Sequence, residues 1–115
     1  MITLVKPPII ARIIGGDQTI DSNKPLILSV RGENLSRDLS YSWSCKDPTT
    51  GLQCVDLYGN YLFLQGTESV LIRANILALG AKYRILFTAA DQLDVSRIAT
   101  DYVIISTLPK NRVLI

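Results

Sequence analysis

The stretch Ser40-Tyr41-Ser42-Trp43-Ser44-Cys45 alternates without a fault, with Tyr41, Trp43 and Cys45 on one side and three serines on the other. A period of two is the period of a strand, and a single apolar face predicts a sheet buried on one side and wet on the other. The same period recurs in both directions along the chain. Upstream, Leu26, Leu28 and Val30 share a face opposite Ile27, Ser29 and Arg31. Downstream, Tyr83, Ile85, Phe87 and Ala89 form an inward set, with Arg84 and Thr88 outward.

Weaker segments complete the pattern. Ile9 to Ile14 runs into Gly15-Gly16-Asp17, a first strand ending in a turn, and Gln18-Thr19-Ile20 is a short extended piece before the turn from Asp21 to Pro25. A shorter strand is expected at Tyr61 to Leu64, and the last at Ile98 to Leu108 after a turn at Ala90 to Asp94. Val70 to Leu79 admits two readings. Between Ser69 and Gly80 it has helical spacing through Leu71, Ala74, Leu77 and Leu79; Val70, Ile72, Ala74 and Ile76 also alternate, and its place among other strands favours a strand. Seven to eight short strands joined by Gly, Pro, Asp and Asn turns predict an all-β chain, a two-sheet β-sandwich of the immunoglobulin-like or fibronectin type III-like kind.

The composition agrees. Of 115 residues, 48% are hydrophobic and 19% charged, which suits one core-forming domain burying roughly two-thirds of its unfolded surface. There is no histidine, which excludes every Ser-His-Asp or Cys-His relay and every histidine metal ligand, and two cysteines are too few for a four-ligand zinc site. Twelve basic and ten acidic residues give a net charge of +2, scattered along the chain, so neither nucleic acid nor direct membrane contact is expected. The apolar runs are strand-sized, far short of the about 20 residues of a membrane span, and no signal peptide is visible at Met1 to Lys6. The sandwich module is expected over 9–108, with 1–8 as the end of a preceding module or linker and 109–115 as a linker or the start of the next. The apolar runs Ile2-Thr3-Leu4-Val5 and Val113-Leu114-Ile115 make the chain resemble one bead of a tandem array.

Cys45 and Cys54 enclose eight residues that include Asp47-Pro48 and Gly51, a turn that can bring two sulfurs together. A local disulfide is predicted, with two buried reduced thiols as the alternative; a bond across so short a loop contributes about 2–3 kcal/mol. Leu77-x-x-Gly80-x-x-Tyr83 fits the turn into a penultimate sandwich strand, where the tyrosine ring packs on the core and its hydroxyl bonds back to nearby backbone. Trp43 and Tyr83 are therefore expected as structural core residues.

Leu26-Ile27-Leu28-Ser29, Tyr41-Ser42-Trp43-Ser44-Cys45, the turn to Cys54 and Leu77-x-x-Gly80-x-x-Tyr83 together resemble the modules of the receptor-for-egg-jelly (REJ) family, found with PKD repeats in polycystin-like ectodomains. The resemblance spans residues 9 to 108, and Tyr-Ser-Trp-Ser-Cys is its most specific part. It implies an extracellular β-sandwich repeat of a larger membrane-anchored or secreted protein, acting in adhesion, ligand recognition or mechanical linkage. Arg31 to Asp38 departs from the acidic, serine-containing loop of such modules. The histidine of the self-cleaving element found in related ectodomains has no counterpart in this chain.

Candidate sites are few. Asn34-Leu35-Ser36 fits an N-glycosylation acceptor in a polar loop. Carboxylates at Asp17, Asp21, Asp38, Asp47, Asp91, Asp94 and Asp101 fall mostly in turns, where calcium ligation competes with simple turn formation. Glu33 and Glu68 are the only glutamates and no phosphate-binding loop is present, so no catalytic residue, cofactor or metal is expected. The partners expected are neighbouring modules of the same chain and a protein or carbohydrate ligand. Two roles remain: a structural spacer, or an adhesion or recognition module, in one form calcium-dependent, that uses its loops. An exposed cluster of aromatic or apolar residues at one end favours recognition, as does binding by the isolated domain, and a polar, featureless end favours the spacer. The strand positions of Trp43 and most tyrosines lean toward the spacer.

Overall fold

Seven strands follow in chain order: β1 (Ile10–Ile13), β2 (Gln18–Ile20), β3 (Leu26–Glu33), β4 (Leu39–Lys46), β5 (Ser69–Ile72), β6 (Lys82–Asp91) and β7 (Ile98–Thr107). They are seen in a computed structural model that describes residues 8–35, 39–94 and 96–109. The apolar runs at the two chain ends, Ser36 of the glycosylation triplet and the Asp38 carboxylate lie outside the described residues. One sheet has the order β1-β3-β5 and the other β2-β7-β6-β4. The connections β3–β4, β4–β5 and β5–β6 each cross from one sheet to the other, and no helix occurs among the described residues. The chain is a two-sheet β-sandwich with Greek-key hand-overs of the immunoglobulin-like kind.

The alternating faces meet as the sequence pattern requires. Leu28, Ile85, Phe87, Ala89 and Ile105 are completely shielded, and Leu26, Val30, Trp43, Val70, Ile72, Tyr83 and Val103 join them in one core. Burying each large aliphatic or aromatic side chain is worth about 1.5–3 kcal/mol, so this layer holds the sheets together. Phe87 is the hub. It sits opposite Trp43 in the β4–β6 register, with ring centroids 4.8 Å apart, and stacks on Tyr41 at 5.8 Å.

The amino-terminal strand changes sheets. Gly15 and Gly16 adopt positive φ at the break after β1, and the chain resumes as β2, parallel to β7 with Gln18 opposite Ile105. Two carboxylates fix this crossing. Asp101 Oδ2 accepts the Ile13 N–H at 2.7 Å, and Asp17 Oδ1 accepts the Ile104 N–H at 2.8 Å. At Gly32 the β1 backbone comes so close that a Cβ would run into the Ile10 carbonyl.

Three expectations are corrected. The segment from Val70 is extended only through Ile72, because Asn75 takes a left-handed φ of 63° and donates its N–H to Ser22 O; Leu77 then enters the core from a turn. Tyr61 to Leu64 keeps a strand's alternation, with Leu62 buried between exposed Tyr61 and Phe63, but its one ladder contact is the isolated pair Val55–Tyr61. The period was legible there; a partner strand was missing. Ala90 and Asp91 continue β6, and Asp91 is buried, pairing with Arg97 at 3.2 Å and accepting the Leu93 N–H.

Candidate functional site

The connection from β4 to β5 is irregular yet tied by a disulfide and by many backbone hydrogen bonds. It begins with a hairpin in which Asp47 Oδ1 accepts the Thr49 N–H at 2.7 Å and Gly51, at φ 73°, donates its N–H to Asp47 O. Lys46 and Gln53 face each other across this hairpin, and Cys54 donates its N–H to Cys45 O. That geometry sets the two cysteines as cross-strand neighbours with Cα atoms 5.4 Å apart, and they are disulfide-bonded and buried. A second turn follows. Asp56 Oδ1 accepts the N–H groups of Tyr58 and Asn60, the Asp56 N–H donates to Asn60 O, and Gly59 at φ 82° allows the reversal. Leu57 N–H donates to Ile76 O, and buried Leu62 donates its N–H to Cys54 O.

With the backbone satisfied locally, the side chains are free to point outward. Leu52, Val55, Leu57, Tyr58, Tyr61 and Phe63 are all exposed, Tyr58 at 71% and Phe63 at 74%. Tyr61 and Phe63 touch edge to face, with centroids 6.4 Å apart. A depression of about 610 Å³ on one side is lined by Leu52, Val55, Asp56 and Asp47 together with Ala78 and Gly80 to Tyr83, and one of about 270 Å³ on the other lies between Trp43 to Lys46 and Leu62 to Leu64. Six large apolar groups stand in water on a braced backbone, an exposed apolar patch of a kind that single scattered hydrophobic residues do not make.

Trp43 and Tyr83 lie where they were expected and brace this site from beneath. The Trp43 indole N–H donates to Thr67 O at 2.9 Å, tying the end of the connection to the core. Tyr83 Oη accepts the Ala78 N–H at 2.8 Å, and burial pushes its hydroxyl above the ordinary phenolic value; the bond from Ala78 works against that shift, while Asp47 and Asp56 reinforce it. Thr107 is the partner that sequence reasoning missed. Its buried hydroxyl donates to Ala78 O at 2.6 Å and accepts the Ala81 N–H at 2.8 Å, so Ala78 is held at both ends.

No protein-family model, curated protein or solved structure matches the chain.

The other candidates are dispersed. Asn34 is exposed at a left-handed φ of 63° after β3, and its Nδ2 donates to Pro8 O at 2.8 Å, closing the end of the β1–β3 pair. Among the described residues no three Asp, Glu, Cys or His side chains gather as a metal site. Asp17, Asp47, Asp91, Asp94 and Asp101 each accept at least one backbone N–H at 3.1 Å or less. The exposure of this segment escaped sequence reading because Tyr61 to Leu64 alternates like a strand, and alternation alone does not tell that Tyr61 and Phe63 find no sheet or core to cover them. Clustering of Leu52, Val55, Leu57, Tyr58, Tyr61 and Phe63 beside two Asp turns was the available clue.

Proposed function

We propose that the chain is a non-catalytic recognition module of a larger extracellular or cell-surface protein, and that the Leu52–Phe63 segment docks a protein ligand. The observation that carries this reading is the exposure of six large apolar side chains on a segment whose backbone is braced by a disulfide and two aspartate turns. A spacer has no use for such a surface. Leaving side chains of this size hydrated forgoes about 1.5–3 kcal/mol each, which docking recovers. Three of the five tyrosines, Tyr58, Tyr61 and Tyr102, are exposed, which removes the basis for favouring a spacer.

The disulfide suits an oxidising compartment, and the elements that resemble REJ modules, Trp43, Cys45–Cys54 and Tyr83, all serve the sandwich itself. They support the kind of module and leave its ligand to the loop. The test is binding of the oxidised domain to intact cells, compared with a Tyr61→Ser/Phe63→Ser variant. The variant is expected to keep its thermal midpoint and lose at least tenfold in binding. Equal binding by both proteins, or no binding by the wild type, overturns the proposal.

A further inference from the structure

The open face of the four-stranded sheet has a separate feature. Lys46 and Arg84 lie directly opposite each other in the β4–β6 register, and both side chains are exposed on the outer face because their neighbours Cys45 and Ile85 are buried. Like charges placed directly across a sheet repel and weaken the pair. Neither cation makes an ion pair among the described residues; the Arg84 guanidinium lies over the Tyr102 ring, 4.2 Å from its centroid. The outward positions of β4, β6 and β7 contain no carboxylate. Ser44, Lys46, Arg84 and Leu86 line a depression of about 130 Å³, roughly four water volumes, enough for one carboxylate.

We infer that this face takes a second protein partner, one that presents paired carboxylates to Lys46 and Arg84. Charge complementarity sets the sign of the partner, since an incoming anion offsets a repulsion that no outward carboxylate of β4, β6 or β7 neutralises. The surroundings set its class. Tyr102 and half-buried Leu86 and Ile104 form an apolar centre beside the cations, and an arginine on a tyrosine ring is a pairing that protein interfaces favour. This surface adjoins the Leu52–Phe63 segment, because Ser44 and Lys46 also line the depression beside Leu62 to Leu64, while Arg84 and Leu86 line this one alone.

The experiment uses the whole chain, ¹⁵N-labelled, and an acetylated, amidated peptide rich in glutamate with one central tyrosine as the probe. Chemical-shift changes are expected at Ser44, Lys46, Arg84, Leu86 and Tyr102, and at least tenfold weaker binding in 0.5 M salt. Lys46→Glu is expected to abolish those changes while raising the thermal midpoint, because it converts the repelling pair into an attracting one. Lys24→Gln, an exposed cation in the β2–β3 turn, is expected to bind like the wild type. No shifts, shifts confined to Leu52–Phe63, or equal binding by Lys46→Glu overturn the inference. So does tighter binding of a sulfated disaccharide at the same residues, which assigns the face to an anionic sugar.

Discussion

Apart from Tyr102 on the outer face of β7, the aromatic side chains of this protein fall into two regions with opposite fates. In β4 and β6, Trp43, Tyr83 and Phe87 are buried, and the Trp43 N–H and Tyr83 hydroxyl both have backbone partners. In the connection from β4 to β5, Tyr58, Tyr61 and Phe63 stand in solvent. The difference lies in how each region satisfies its backbone. A strand gains its stability by burying one face, so the aromatics on that face are committed to folding. The connection is held by a disulfide, two aspartate turns and one buried leucine, which leaves its remaining apolar side chains available to a partner.

The largest effect is expected on the buried side of this contrast. Phe87→Ala removes the hub between Tyr41 and Trp43 and should cost about 3–5 kcal/mol in denaturant unfolding. A cost below about 1 kcal/mol would show that the aromatic layer is not what closes the sandwich. Next is the brace of the exposed side. Cys45→Ala/Cys54→Ala should lower stability by about 2–3 kcal/mol and raise amide exchange in residues 47–64 ahead of β6 and β7. Uniform exchange across the molecule would erase the separation of the two regions.

Tyr83 joins the regions and should show an intermediate effect. Tyr83→Phe leaves the Ala78 N–H without its acceptor and is expected to cost about 1 kcal/mol. Because the folded protein holds the Tyr83 proton more tightly than the unfolded chain does, the associated stability is complete below about pH 10 and is lost as pH rises through the higher folded value. Unfolding midpoints between pH 9 and pH 11 should therefore fall more steeply for the wild type than for Tyr83→Phe. Parallel curves would dismiss the hydroxyl as a contributor. The smallest change in stability is expected for Tyr61→Ser/Phe63→Ser, within about 0.5 kcal/mol of the wild type by thermal unfolding, because neither ring is needed for the core. A loss of 2 kcal/mol or more would mean that the two regions share one core after all.

Much of the fold was legible because alternation reports burial directly. The inward sets of β3, β4 and β6 were readable from residue type alone, as were the disulfide and the tyrosine turn, whose determinants are local in sequence. Tyr61 to Leu64 shows the limit of that reading. Its alternation is real, yet strand identity needs a hydrogen-bonding neighbour, and the chain supplies only Val55 opposite Tyr61. Asn75 shows another, since one left-handed residue ends an otherwise regular β pattern.

By itself the sequence determined the period of each strand, the loop that lets Cys45 meet Cys54, and the lack of histidine chemistry. Only the tertiary structure decided which loop residues stay in water and which charges become neighbours. Lys46 and Arg84 look scattered along the chain because charge spacing in sequence carries no register. The β4–β6 pairing, fixed by burying Trp43 and Cys45 against Phe87 and Ile85, places the two cations opposite each other on the outer face. Register is a property of two strands together, and a one-residue slip would turn every side chain of β4 to the wrong side of the sheet.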